Sequence, residues 1–335
     1  MRRFKKLPGG IYPYYLAWQW GAYKLAQRIH AKEKFDRVHH ITFVSARHPS
    51  FMGGLKIPFF FGPVAGGESA PLHLRAAYPL RGLIIDGLRD VTNFLARFDP
   101  FLRQTFRQAS KIFVTSEQTL GLIPICFRHK ASIQLAIGLD KKWLEPISTS
   151  NRAAKERQVT KILYVGRFLY WKGMDLGLLA FAKYADKNPE AKLTMIGQGP
   201  EEQEWMDLAK RLGIDHRITW LPWVSQNDLP SLYQRHHLLL FPSLHDSGGL
   251  VVLEAMAHGL PVICLDLGGP GIIVNHSSGI SVPTRYSSPK EVITGIEKAL
   301  ITIGNNKALY EKLCIGALKR ASEYNWSCIL SKLYD

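Results

Sequence analysis

The sequence predicts an α/β protein built from two doubly wound, parallel-sheet domains, and three observations predict it. Short apolar strand patterns alternate with helical ones at the spacing of strand–helix–parallel strand units. The chain has 335 residues and an apolar share of 46%, enough for two packed cores. A stretch at 145–158, with Pro146, a Ser/Thr cluster and then mixed charge, separates two runs of this alternation and is the candidate linker.

In chain order, residues 11–34 read as a helix rich in aromatics (Tyr12, Tyr14, Tyr15, Trp18, Trp20, Tyr23) that turns basic towards its end. Strand patterns follow at 35–44 and 57–61, the second running into Gly-Pro-Val-Ala-Gly-Gly-Glu at 62–68. Residues 71–108 read as helical segments broken by Pro79 and Pro100, followed by strands at 111–116 and 133–136. Beyond the linker, strands at 161–165, 193–196, 218–220, 238–241 and 262–265 alternate with helices at 174–186, 201–212, 228–234, 249–258 and 289–303. No internal repeat or low-complexity segment interrupts them.

Composition narrows the function classes. No apolar run approaches the ~18–20 residues that span a bilayer, and the basic N-terminus (Arg2, Arg3, Lys5, Lys6) lacks the apolar core of a signal peptide. Cys126, Cys264, Cys314 and Cys328 are scattered without metal-site spacing, as expected of reduced thiols in a cytoplasmic protein. Residues 1–150 carry 22 Lys and Arg against 9 Asp and Glu, so +13 of the net +16 lies in the first half. Such asymmetry implies an anionic partner. A membrane surface fits, at roughly 1 kcal/mol per basic residue near an anionic leaflet. Nucleic acid is not expected, because no nucleic-acid-binding motif accompanies the charge.

The chemistry concentrates at 246–254. The strand at 238–241 runs into a glycine-bearing turn, a helix opens near Gly249, and Asp246 and Glu254 flank the turn. Unpaired N–H groups at a helix start favour an anion such as phosphate. A carboxylate facing that site is suited instead to accepting hydrogen bonds from a sugar diol. Phosphate donors beside hydroxyl acceptors suggest a nucleotide-sugar. Upstream, Gly166-Arg167-Phe168-Leu169-Tyr170-Trp171-Lys172-Gly173 follows a strand, with Gly166 allowing close backbone approach and both cations placed to meet one anion.

The stretch from Asp246 to Val262 resembles the donor-site signature of the retaining glycosyltransferases of family 4 (glycosyl transferases group 1), which have the GT-B fold. It matches at Gly249, Leu250, Glu254, Ala255, Met256, Ala257, Gly259, Pro261 and Val262, and departs at Asp246, where Glu is usual, and at Gly248, where an aromatic is common. The resemblance implies two Rossmann-like domains facing across a cleft: residues 1–150 on the acceptor side, 151–320 binding the donor, and a helix at 321–335 crossing back to the first domain. It implies that Arg167 and Lys172 stabilise the departing diphosphate, that Glu254 holds the ribose diol, and that Asp246 meets sugar hydroxyls. Gly166, Gly197, Gly199, Trp223, Val224, Gly248, Gly249 and Leu250 would line the donor, with Gly62 and Gly66 capping it from the other domain. Gly268-Gly269-Pro270 matches a turn that closes the pocket, and Tyr324–Ser327 matches the family's end segment.

No Asp-x-Asp occurs in the chain, so metal-independent transfer without a cofactor is expected, the diphosphate being held by Arg167, Lys172 and the helix start. The 62–68 turn lacks the histidine that many family members place there. Of His39 and His40, adjacent on a strand, only one can face a cleft. Only the aromatic helix precedes the first strand, so the first domain is expected to lack its initial strand–helix units, leaving a sheet edge and apolar surface open. The expected activity is sugar transfer, with retention, from a nucleotide-diphosphate sugar to a glycan or lipid-linked acceptor at the inner membrane face. The rivals are a truncated, inactive nucleotide-binding homologue, a sugar-nucleotide epimerase and a nucleic-acid binder.

Overall fold

The computed structural model describes residues 11–144 and 159–334. The basic cluster at Arg2–Lys6 and the linker candidate at 145–158 lie outside the described residues. The chain divides into two compact units, one of residues 1–69 and 84–136 and one of residues 70–83 and 137–335.

The first unit contains α1 (Ile11–Glu33), β1 (Val38–His40), β2 (Phe59–Val64), α2 (Leu80–Ala96, whose first turn falls in the second unit), α3 (Pro100–Gln108), β3 (Lys111–Val114), α4 (Glu117–Leu120) and β4 (Ala131–Ile133). Its strands form one parallel sheet in the order β1-β2-β3-β4. Phe59, Phe61, Ile112 and Val114 pack against Leu102 and Phe106 of α3. Asp99 starts α3 by accepting the N–H groups of Phe101 and Leu102, with Pro100 at the first helical position.

Three strand expectations are corrected here. The 35–44 pattern pairs only over Val38–His40, because Phe43 (φ 63°) and Val44 (φ 21°) leave the extended conformation despite their β-prone side chains. The second strand is displaced to Phe59–Val64, and the fourth pairs over Ala131–Ile133 rather than 133–136.

The second unit carries β5 (Lys161–Val165), α5 (Met174–Lys187), β6 (Lys192–Ile196), α6 (Glu202–Arg211), β7 (Ile218–Leu221), α7 (Leu229–Arg235), β8 (Leu238–Phe241), α8 (Leu250–Ala257), β9 (Val262–Leu265), α9 (Gly268–Ile273), β10 (Gly279–Val282), α10 (Pro289–Gly304), α11 (Lys307–Ser322) and α12 (Trp326–Tyr334). Its parallel sheet runs β10-β9-β8-β5-β6-β7. The central strands β8 and β9 are buried along their whole length, which explains their unbroken apolar runs. Gly268–Pro270, expected as a turn, is the first turn of α9. Both β10 and α11 were not anticipated, although Asn306 caps α11 by accepting the Leu309 N–H at 2.9 Å. The 70–83 segment packs within this unit, where His73 Nε2 donates to the Thr284 carbonyl at 3.0 Å. At the start of α12, the Trp326 N–H donates to the carbonyl of Leu139, also a residue of this unit.

Candidate functional site

Strand order places the site. From β5 the chain winds outward through β6 and β7 on one side, then returns to β8 on the other side of β5. Connections leaving the carboxyl ends of β5 and β8 therefore diverge, which opens a crevice at the topological switch point. Both motif loops start there, 166–173 after β5 and 242–249 after β8.

The loops after β5 and β6 are joined backbone to backbone. Gly166 N–H donates to the Ile196 carbonyl and Phe168 N–H to that of Gln198, each at 2.9 Å. A Cβ on Gly197 (φ 145°) would lie 1.9 Å from the Gly166 oxygen, and one on Gly199 would lie 2.1 Å from that of Phe168. Close approach of the two loops thus requires Gly-x-Gly here. Beyond the ends of β5, β6 and β7 lies a cavity of about 380 Å³, where Gly166, Arg167, Gly197, Trp223 and Val224 meet. The Trp223 ring is 75% exposed, offering an open face for stacking. Arg167 is exposed, and its guanidinium has no hydrogen-bond partner among the described residues.

The loops after β5 and β8 meet just as closely. Gly173 (φ 66°) has no room for a Cβ, which would sit 2.1 Å from the Pro242 oxygen, and the Leu244 N–H donates to the Trp171 carbonyl at 2.9 Å. This brings Lys172 Nζ to 2.6 Å from Asp246 Oδ2, with both side chains largely shielded. Asp246 Oδ1 accepts the N–H groups of Gly248 and Gly249, each at 3.1 Å. The short Asp side chain closes on the N–H groups two and three residues ahead, as aspartates in such turns do. Lys172 and Asp246, expected to meet different parts of a donor, hold one another in this structure. The Gly249 donor expected to face phosphate is held by Asp246. Leu250 is the exposed first residue of α8.

Glu254 is buried on α8, where one carboxylate oxygen accepts the Tyr233 hydroxyl at 3.1 Å. Burial pushes its pKa up, and the Tyr233 hydrogen bond offsets only part of that. Its carbonyl accepts from His258 Nδ1 at 2.8 Å, and the His258 ring packs against Tyr233 and the edge of Trp143. Tyr233 and Trp143 were missed by sequence reasoning, since neither lies in a recognisable motif.

Gly62 and Gly66 belong to the first unit. His39 Nε2 donates to the Gly62 carbonyl at 2.6 Å, while His40 is buried against the Thr42 carbonyl at 3.0 Å. Burial lowers the pKa of both histidines. Gly66 N–H donates to buried Glu68 at 2.7 Å. The first unit also holds a cavity of about 690 Å³, walled by Arg47, Leu88, Arg89 and Leu95, which none of the sequence-predicted site residues lines.

Residues 148–312 match the family described as glycosyl transferases group 1. An uncharacterized glycosyltransferase of Methanocaldococcus jannaschii is 31% identical over 183 residues, covering 52% of this chain and 46% of that protein. The chain thus spans about half the length of the curated relatives it matches. Among solved structures, sucrose-phosphate synthase from Thermosynechococcus elongatus superposes with a TM-score of 0.61 at 20% identity, covering 92% of this chain and 75% of that one. HepE of Anabaena, solved in complex with UDP, gives 0.59 at 17% identity over 92% and 80% of the two chains. At these identities the likeness is one of fold, and that fold is GT-B.

Proposed function

We propose, from the premise that the chain belongs to the glycosyl transferases group 1 family through residues 148–312, that it transfers a sugar from a nucleotide-diphosphate donor. The observation that carries this reading is the convergence of three loops at the carboxyl ends of β5, β6 and β8. The loops after β5 and β6, with the one after β7, wall a cavity lined by Arg167 and Trp223, and those after β5 and β8 hold the Lys172–Asp246 pair. The base stacks near Trp223 and Val224, Glu254 accepts the ribose hydroxyls, and Arg167 and Lys172 neutralise the diphosphate as it leaves. Preorganised cations are worth several kcal/mol to such a transition state. Asp246 turns to the sugar hydroxyls once a diphosphate draws Lys172 away. Transfer proceeds with retention and without metal, the two cations taking the part a divalent ion would play.

The acceptor is a glycan or lipid-linked sugar, met at the cytoplasmic face of a membrane to which the basic first half is drawn. No helix among the described residues is long and apolar enough to cross a membrane. A second reading, donor binding without turnover, is favoured by the neutralisation of Lys172 by Asp246. Both are tested by screening nucleotide-sugars for thermal stabilisation and for release of the nucleoside diphosphate, with and without chelator. Transfer requires stabilisation and release in one donor, unaffected by chelator. Stabilisation without release selects the second reading, and equally tight nucleotide binding by Glu254→Ala removes the ribose assignment.

A further inference from the structure

Helix α2 presents an apolar face that none of the described residues covers. Ile84, Leu88, Val91 and Leu95 recur at the spacing of one helix side, and all are between 54% and 63% exposed. The row spans ~16 Å at 1.5 Å per residue. Phe98, just past the helix end, continues it at 65% exposed, with the Phe94 ring 5.4 Å from its own. A soluble helix of this pattern ordinarily turns such a stripe to the core, yet here the opposite side is the packed one: Asp86 and Asn93 are the buried residues of this stretch. Arg47 reaches Asn93 Oδ1 at 3.0 Å and Arg89 pairs with Asp86 at 2.7 Å, so these polar groups face inward and pair with one another.

The charges sort the same way. Between residues 84 and 110 every exposed charge is positive, namely Arg97, Arg103 and Arg107. The acids of the same stretch are turned in. Asp90 accepts the Ser69 hydroxyl at 2.9 Å, and Asp99 accepts the Tyr12 hydroxyl and two N–H groups of α3. An exposed apolar row, with exposed cations and withdrawn acids in the same stretch of chain, matches the interface of an anionic bilayer, where chains meet negatively charged headgroups. It is a poor match for an aqueous anion such as free nucleotide, which has no use for the apolar row. Leu88 and Leu95 also line the cavity of about 690 Å³, so the row borders a recess.

We propose that the exposed face of α2, from Ile84 to Phe98, is the surface by which this protein lies on an anionic lipid bilayer, its apolar row at the acyl boundary and Arg97, Arg103 and Arg107 against the phosphates. This deepens the membrane-side part of the proposed function and rests on it, but not on donor chemistry. The test is flotation of the full chain with phosphatidylcholine vesicles, alone or with 30 mol% phosphatidylglycerol, in the absence of nucleotide-sugar. The parent floats with the anionic vesicles and much less with the neutral ones. Leu88→Ser with Val91→Ser, both on an exposed face and so compatible with folding, weakens that binding about tenfold while leaving the melting temperature in place. Arg97→Gln with Arg103→Gln weakens it and flattens its salt dependence.

Failure of the parent to float overturns the proposal. So does a serine pair that floats as well as the parent, which would reduce the attraction to diffuse charge. A parent that is dimeric, and is made monomeric by the serine pair without binding vesicles, shows instead that the face meets a second copy. Floating without donor binding keeps the surface and removes the transfer reading; donor turnover without floating does the reverse.

Discussion

Two turns of this molecule look alike in sequence and differ in chemistry. The 62–68 turn follows β2 and ends in Glu68; the 246–254 segment follows β8 and ends in Glu254. Both glutamates are buried, at 1% and 9% exposure. Glu68 accepts the hydroxyls of Thr115, Ser116 and Thr119 at 2.7, 2.7 and 2.9 Å and the Gly66 N–H at 2.7 Å. Burial alone would raise its pKa, but these donors, Thr115 foremost, bring it below the ordinary carboxylate value. Glu254 has the Tyr233 hydroxyl for a partner, and burial wins. The number of donors, not the depth of burial, separates them. Glu68 is saturated and holds its turn together, whereas Glu254 keeps acceptor capacity for a ligand.

The largest expected effect tests a glycine pressed on backbone at each turn, Gly67 within the first and Gly268 of α9 against the start of the second. Gly268 (φ 56°) would place a Cβ 2.0 Å from the Asp246 oxygen, and Gly67 would place one 2.4 Å from the Thr119 Cα. Gly268→Ala therefore costs at least about 3 kcal/mol of stability, and Gly67→Ala somewhat less because its φ is not left-handed. Denaturant titration of the two variants measures this; a Gly268→Ala protein as stable as the parent would mean that the two loops do not meet as described.

Next is Glu68→Gln. The amide oxygen can still serve the three hydroxyls, but its NH₂ then faces the Gly66 N–H, donor against donor. The expected loss is about 2 kcal/mol, with nucleotide affinity unchanged. Glu254→Gln reverses the pattern. Removing a poorly compensated buried charge leaves stability equal or up to about 1 kcal/mol higher, while nucleotide binding weakens roughly 10- to 100-fold as a charged acceptor is lost. Calorimetric binding beside melting curves reads both axes, and a Glu254→Gln protein that loses stability but keeps its affinity would make Glu254 a second Glu68.

The contrast also explains what the sequence could and could not disclose. The second unit was legible because parallel strands buried on both faces are unbroken apolar runs, so β5, β8 and β9 lie where Lys161–Val165, Leu238–Phe241 and Val262–Leu265 put them. The first unit was less so, since its short strands end where backbone conformation, not side-chain type, changes, as at Phe43 and Val44. Motif residues Arg167, Lys172, Asp246 and Glu254 stood out through the strand–turn–helix pattern and the family resemblance. Their pairing could not: the Lys172–Asp246 contact joins residues 74 apart, and Tyr233 reaches Glu254 from a helix that bears no signature. Gly-x-Gly at 197–199 was visible but ambiguous, and the Gly166 and Phe168 oxygens 1.9 and 2.1 Å from the imagined Cβ atoms give it a structural reason.

The smallest effect is also the one most specific to the comparison, because the two glutamates should bend stability in opposite directions with pH. Both start from an ordinary value of 4.5. Folding raises that of Glu254, so between 4.5 and its raised value the native state binds the extra proton. Its contribution to stability is then fully present below 4.5 and declines as pH rises through that window. Folding lowers that of Glu68, so the unfolded state binds the extra proton between the lowered value and 4.5. Its contribution is fully present above 4.5 and is lost as pH falls through the native value. Measured as parent minus Gln variant by urea unfolding from about pH 3 to pH 8, the Glu254 difference falls with rising pH and the Glu68 difference rises. Nucleotide that engages Glu254 as a carboxylate supplies donors Tyr233 cannot, and so should flatten the Glu254 slope while leaving that of Glu68 untouched. Parallel slopes, or a Glu254 slope indifferent to nucleotide, would place both glutamates in the same structural role.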